Sequence, residues 1–239
     1  MRGTYGFAGV VVEVASLHGD VHELCRGYRC GGSPDLRVRT TQADIDRERE
    51  RTARPGRPAP RASDGHLEGL AVYRQIAELM PAHGAFVLHG SAVAVDGVAY
   101  LFAARSGTGK STHARLWREM LGARAVMVND DKPLVRVGDG GVTVYGTPWD
   151  GKHRLSRNVA VPLRAVCLLA RAGEDHIERV PAARAYPALL RQVYRPADPA
   201  ALAATLALLD RLVERVGLWR LGCTMGAGAA RVSYEAMRG

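Results

Sequence analysis

Apolar positions fall into short runs and alternations, separated by stretches with helical spacing, the pattern of a mixed α/β chain. Residues 7–14 form a run rich in β-branched Val10, Val11, Val12 and Val14, and Leu36, Val38 and Thr40 alternate with Arg37 and Arg39. With a turn at Gly31-Gly32-Ser33-Pro34, residues 1–40 predict a small strand-rich layer. From 66 to 80 the spacing turns helical: Leu67, Leu70, Ala71, Ile76, Leu79 and Met80 share a face, with Ser63 or Asp64 as cap and Pro81 as stop. Two strand runs, 86–95 and 98–103, are joined by Asp96-Gly97, a strong hairpin signal. A helix is expected over 110–121 and a short strand over 125–128. A second hairpin is expected from 132–137 and 142–145, and a further strand over 163–170. Helices over 182–195 and 198–216 follow, the second opened by Asp198-Pro199, then a short strand at 218–221. Signals beyond Cys223 are weak, and there is no internal repeat.

Residues 41–64 break this pattern. Asp46 to Arg51 alternates acid and base, and 54–61 is rich in Pro and Arg, the composition of a linker or mobile loop. The chain therefore divides into a β-rich region (1–45), a linker (46–64) and a larger domain (65–239). Its 239 residues, 47% hydrophobic, suffice for a buried core. No apolar run approaches the ~20 residues of a membrane span. The N-terminus lacks a signal-peptide pattern, so a cytoplasmic location is expected. Cys25, Cys30, Cys167 and Cys223 have no metal-type spacing and read as free thiols. The net charge of +9 carries no recognition-helix or aromatic-basic pattern, so no nucleic-acid partner is expected. A homo-oligomer is compatible with the chain. Of 33 basic residues only Lys110, Lys132 and Lys152 are lysines, and all three lie in or beside the motifs below. Lysine and arginine are not interchangeable at a phosphate.

The strand over 98–103 runs into Ala104-Arg105-Ser106-Gly107-Thr108-Gly109-Lys110-Ser111, a phosphate-loop pattern with Ala104 for its first Gly. Gly107 and Gly109 let backbone N–H groups curl around a polyphosphate, and the following helix adds its positive end. Ser106, Gly107, Thr108, Gly109, Lys110, Ser111 and Thr112 are the candidate nucleotide-binding residues. Lys110 would meet the terminal phosphates, and the Ser111 hydroxyl a Mg²⁺ ion. ATP and Mg²⁺ are thus the expected cofactors.

The next strand ends in Asn129-Asp130-Asp131, where a metal-binding or water-orienting carboxylate belongs in such a fold. Adjacent strand residues point to opposite sides, so one Asp can face the metal and the other an acceptor hydroxyl. Asp130 is read as the base and Asp131 as the metal ligand. His89, before Gly90-Ser91, reads equally as structural or functional. The loop over 146–154 concentrates Trp149, Asp150, Lys152, His153 and Arg154, and reads as an exposed functional loop. Lys152 and Arg154 are its candidate substrate contacts.

Taken together, His89-Gly90-Ser91, Ser106 to Ser111 and Asn129-Asp130-Asp131 resemble the central region of the HPr kinase/phosphorylase family. That resemblance spans roughly 86–170. It implies the fold shared with phosphoenolpyruvate carboxykinases, a mixed sheet flanked by helices around a phosphate loop. It also implies a kinase using ATP and Mg²⁺, with an Asp of the pair as base on a serine, and His89 and Lys110 near the phosphates. The glycine-rich, arginine-containing stretch that follows the acidic pair in HPr kinases is not apparent here. Asn129-Asp130-Asp131-Lys132-Pro133 and Gly146-Thr147-Pro148-Trp149-Asp150-Gly151-Lys152 are more similar to kinases encoded beside lasso-peptide genes, which phosphorylate a precursor at its C-terminal serine. The alternatives are an HPr-type carrier-protein kinase/phosphorylase, a non-catalytic ATP-binding module and a small-acid carboxykinase. The short chain weighs against the last.

Overall fold

Two hairpins are set by left-handed pairs. Ala8 and Gly9 have φ of 51° and 75°, Asp96 and Gly97 of 50° and 84°, the geometry a two-residue turn needs to match strand twist. In the computed structural model, which describes residues 1–53 and 62–239, the first pair divides the apolar run expected over 7–14. One strand, β1 (Arg2–Phe7), ends at the turn and a second, β2 (Val10–Ala15), begins after it. A short helix, α1 (Asp20–Leu24), and β3 (Leu36–Arg39) complete a three-stranded layer, β1 antiparallel and β3 parallel to β2.

The segment from Asp46 to Thr52, expected to be linker, is instead helical, within α2 (Gln42–Thr52). Thr41 and Asp44 form a capping box, and the alternating charges resolve into i,i+3 pairs, Asp44 with Arg47 and Asp46 with Arg49. Glu48 is buried. It accepts a fork of bonds, 2.6 and 2.9 Å, from Arg74 of the next helix, α3 (Asp64–Leu79). A charge run reads as solvated chain unless the partner is known, and this partner is 26 residues away. The Pro/Arg-rich part of the expected linker, 54–61, lies outside the described residues. At the start of α3, Ser63 accepts the His66 N–H at 3.3 Å.

The central sheet has nine strands. The run expected over 86–95 is broken into β4 (Ala85–Val87) and β5 (Ser91–Val95). The break falls at Gly90, where a Cβ would stand 2.8 Å from both Leu101 Cδ2 and the Phe102 carbonyl. β5 pairs with β6 (Val98–Ala103), which leads into α4 (Lys110–Leu121) and β7 (Ala125–Asn129). Next come β8 (Leu134–Gly138), β9 (Gly141–Tyr145), β10 (Ala160–Arg171), β11 (His176–Arg179), α5 (Ala182–Leu190), α6 (Pro199–Arg215), β12 (Gly217–Cys223) and α7 (Ala227–Met237). The main strand order is β4-β8-β9-β10-β6-β5-β7, with β12 beside β10 and β11 beside β12. β10 is the hub: its first residues pair antiparallel with β9, and the rest run parallel to β6 and β12. One core cluster joins the sheet to α5 and α6, another to α4 and α7. The architecture is a mixed α/β sheet flanked by helices, and among the described residues no helix is long and apolar enough to cross a membrane.

A third cluster joins the N-terminal layer to α3 and to the loop after β9, packing Tyr5, Phe7 and Val12 with Val72, Ile76 and Trp149. Glu68 of α3 is fully buried there. It accepts the N–H groups of Leu17 and His18 at 2.6 and 2.8 Å, and the Thr40 hydroxyl. Removing it strands three donors. Glu68→Ala is expected to lower unfolding stability by about 2–4 kcal/mol in urea melts. An unchanged midpoint would mean that water replaces the carboxylate at no cost.

Candidate functional site

The buried strand β6 delivers the chain into the phosphate loop at Ala104. Gly107 and Gly109 have φ of 79° and 118°, so the loop curls as only glycine allows. The Lys110 side chain folds back along it, its Nζ donating to the Ala104 carbonyl at 2.9 Å. Burial lowers its pKa, while the nearby charges of Asp131 and Asp130 act the other way. Both carboxylates are therefore within electrostatic reach of the loop lysine. Ser106 and Ser111 are exposed, with Thr112 half-buried. Two supports were not legible in sequence. Arg171, at the end of β10, donates to the Gly107 carbonyl at 2.9 Å. Met225 packs on Gly109, where a Cβ would stand 1.9 Å from its Cε. Both come from segments distant in sequence, Met225 from the turn between β12 and α7, with no local pattern to announce them.

Behind the loop, α4 is fastened to α7. Ser233 Oγ accepts the Trp117 indole N–H at 2.8 Å and lies 3.0 Å from His113 Nε2. Burial lowers the His113 pKa to about 4, so this imidazole is neutral at physiological pH.

At the end of β7, Asn129 is fully buried. Its Oδ1 accepts the N–H groups of Asp131 and Lys132 at 2.8 and 2.7 Å, and its Nδ2 donates to the Thr147 carbonyl at 3.1 Å. One amide thus braces the acidic turn against the loop after β9. The two acids then part. Asp130, 6% exposed, accepts the Ser91 hydroxyl at 2.6 Å through Oδ1. Its Oδ2 faces Gly151, where a Cβ would stand only 2.8 Å away. Asp131 Oδ1 lies 2.9 Å from His89 Nδ1, and Oδ2 pairs with Lys132. Burial pushes the Asp131 pKa up, but His89 and Lys132 outweigh it and hold the carboxyl below its usual range. His89 is tied in turn to the end of α5, its N–H donating to the Gln192 carbonyl at 2.8 Å.

The structure thus places Asp130, Asp131 and His89 together, with Lys110 on the glycine loop under the influence of their charge. The loop over 146–154 splits. Trp149, expected on an exposed functional loop, is buried: its indole N–H donates to the Gly69 carbonyl at 2.8 Å, and its ring packs on Phe7 and Tyr73. It is an anchor, because an indole adds apolar area to the core while one backbone carbonyl satisfies its N–H. Lys152, His153 and Arg154 remain exposed.

Two cavities adjoin this cluster. One, of about 540 Å³, borders the phosphate loop at Arg105 and Thr108, and is lined by four arginines (Arg105, Arg171, Arg191, Arg220) and no carboxylate. The other, of about 1150 Å³, lies by the acidic turn and includes Lys132, Gly151, Lys152 and Arg154 in its lining. Gly151 of the second cavity abuts Asp130, and Gln192 of the first accepts the His89 backbone N–H. For Mg²⁺ the donors present are hard oxygens, the Ser111 hydroxyl and the paired carboxylates, the set this ion takes alongside phosphates and water. Among the described residues no group of three or more His, Cys, Asp or Glu forms a self-sufficient metal cage. The donor set therefore fits an ion carried with a nucleotide.

No protein-family model matches the chain, and no curated protein is significantly similar to it. Among solved structures it is similar to the Hpr(Ser) kinase/phosphatase from Coxiella burnetii, with 10% identity and a TM-score of 0.34, over 64% of this chain and 99% of that one.

Because the Asp131 pKa is depressed in the fold, its ionised form contributes stability above the ordinary carboxylate value of about 4. That contribution is lost as pH falls through the lowered value. The gap in urea midpoint between wild type and Asp131→Asn is expected to be widest near neutrality and to close in acid. A gap independent of pH would assign the loss to something other than the charge.

Proposed function

We propose that this chain is a Mg-ATP-dependent serine kinase with a carboxykinase-like phosphate-loop core, acting in the cytoplasm on a peptide or protein. The reading rests on a glycine-rich loop with a buried lysine, together with two adjacent carboxylates that have different partners, Ser91 for Asp130 and His89 for Asp131. A module that only bound nucleotide would need the loop and not the second carboxylate. Phosphoryl transfer needs positioning and charge neutralisation more than covalent chemistry.

In this reading Ser106 to Thr112 bind the phosphates, with Lys110 on the terminal ones, and the arginine-lined cavity takes adjoining negative charge. Ser111 and Asp131 would hold Mg²⁺, whose charge offsets that of the phosphates when it is bound. Asp130 is the base: its Oδ2 faces the Gly151 side, where an acceptor would enter, and Ser91 orients the carboxylate through Oδ1. It takes the serine proton as the serine oxygen bonds to the γ-phosphorus. The bond to the bridging oxygen then breaks and ADP leaves. His89 and Lys132 hold Asp131 ionised. The exposed Lys152 and Arg154 beside the acceptor cavity suit a carboxylate. The acceptor proposed is therefore a C-terminal serine, such as that of a lasso-peptide precursor, which the resemblance of the 129–133 and 146–152 loops also favours.

Labelled ATP and serine peptides test the reading. Transfer is expected in wild type and lost in Lys110→Ala and Lys110→Arg, because a planar fork does not fit a tight phosphate cradle. Tight ATP binding with no labelled acceptor would favour a regulatory module. Asp130→Asn should slow transfer by about 10²–10⁴-fold with ATP affinity retained, whereas Asp131→Asn should shift the Mg²⁺ dependence. The opposite pattern reverses the two roles. A peptide free acid should outperform its C-terminal amide, and the preference should vanish in Lys152→Ala or Arg154→Ala. Equal rates in wild type would point to an internal serine.

A further inference from the structure

The cavity of about 540 Å³ beside the phosphate loop has the size of a small-ligand pocket. Its floor is apolar: Ala103 and Ala104 where β6 ends, and Leu168, Leu169 and Ala170 near the end of β10. Four separate segments bring arginines to it: Arg105 from the loop, Arg171 from β10, Arg191 from just beyond α5 and Arg220 from β12. All four are exposed. Elsewhere Arg74, Arg115 and Arg124 each pair with a carboxylate. Arg105, Arg171 and Arg191 have no such partner among the described residues. Arg220 comes only within 4.0 Å of Glu178, which Arg184 approaches at 3.3 Å. Four like charges around one concavity, with no acid in its lining, focus a positive potential on whatever enters. Arginine forks match phosphoryl oxygens two at a time, so an anion with several such groups neutralises the set.

This concavity is not the phosphate cradle. Arg105 and Thr108 line it, but Gly107, Gly109, Lys110, Ser111 and Thr112 do not. Arg171 meets the loop from its carbonyl side, at Gly107, whereas a polyphosphate in the cradle meets N–H groups. Asp130, Asp131 and His89 are absent from the lining as well. The cavity is nevertheless wired to both parts of the candidate site. Arg171 is bonded to Gly107, and Gln192, which lines the cavity, accepts the His89 N–H at 2.8 Å. The His89 ring in turn lies against Asp131.

We propose that this cavity is a second anion site, separate from the cradle, which takes a free small polyanion carrying two or more phosphoryl groups. Its occupation loosens ATP. The anion engages Arg171, which otherwise braces Gly107, and it cancels positive charge that favours the nucleotide's phosphates nearby. Linkage makes the effect reciprocal. The site itself stands without the kinase reading, and only its effect on ATP rests on that reading.

The test is calorimetric titration of the full chain at low salt, with inorganic triphosphate as the probe. Once a non-hydrolysable ATP analogue and Mg²⁺ fill the cradle, one further equivalent of triphosphate should bind. Its affinity should fall about 10-fold or more in the combined Arg191→Gln and Arg220→Gln variant, the range of lost charge-assisted hydrogen bonds, with the melting temperature held. Lys110→Ala, which disables the cradle, should leave triphosphate binding at this site in place. Release of a fluorescent ATP analogue into excess unlabelled ATP should quicken roughly 5-fold when triphosphate is added, the lower end of coupling between sites. Competition for one shared site would leave that rate unchanged. Triphosphate that binds only when the analogue is absent overturns the proposal and gives the cavity to the nucleotide's own phosphates. Equal affinity in wild type and the double variant overturns it too, since the arginines would then hold nothing. Either result leaves the kinase standing. Triphosphate binding that depends on Arg191 and Arg220, in a chain that neither binds the analogue nor transfers phosphate, supports the cavity and overturns the kinase.

Discussion

The side-chain amide of Asn129 is the constraint on which the candidate site depends. It is fully buried, and its two ends act on different pieces of chain: Oδ1 holds the N–H groups of the acidic turn, and Nδ2 holds Thr147. Thr147 closes the loop by donating its hydroxyl to the Lys132 carbonyl at 2.9 Å. Two residues further on, Trp149 bonds Gly69 of α3, which carries Glu68 and through it the N-terminal layer. Polar bonds of this kind, satisfied at both ends, fix one arrangement where apolar packing alone tolerates several. The relative placement of the acid pair, the loop after β9 and the N-terminal layer follows from this one chain of contacts.

The same chain explains why the two acids differ. Asp130 points back to Ser91 of β5 and keeps one oxygen toward Gly151. Asp131 is held between His89 and Lys132 with both oxygens engaged. Environment, and not residue type, separates the two carboxylates. His89 belongs to this division, since its backbone is tied to Gln192 and its ring to Asp131.

Much of the fold was legible where the signal was local. The helix over Lys110–Leu121, the Asp96-Gly97 hairpin and the Asp198-capped helix follow from spacing, turn chemistry and capping. What was missed depended on distant partners. The 46–52 charge run is a helix because Arg74 neutralises Glu48. The 86–95 run breaks because Gly90 lies against Phe102 and Leu101. The helix α7 was not read in the stretch beyond Cys223, where Ser233 holds it against Trp117. In the site, loop and acid pair were readable as motifs. Trp149 was misassigned because an aromatic in a polar loop looks exposed until the surface that buries it is known.

The scarcity of lysine gains meaning from these placements. In a chain whose basic residues are otherwise arginine, Lys110 lies along the phosphate loop, Lys132 pairs with Asp131, and Lys152 stands at the rim of the groove beside Asp130. Guanidinium groups instead form long-range braces, such as Arg74 to Glu48 and Arg171 to Gly107, and line the cavity beside the loop. A rigid fork suits a fixed carboxylate or carbonyl geometry, whereas a lysine is a compact, flexible point charge. If arginine is the default cation of this chain, a lysine persists where the fork fails. The three that persist lie at the glycine loop, the acidic turn and the loop after β9.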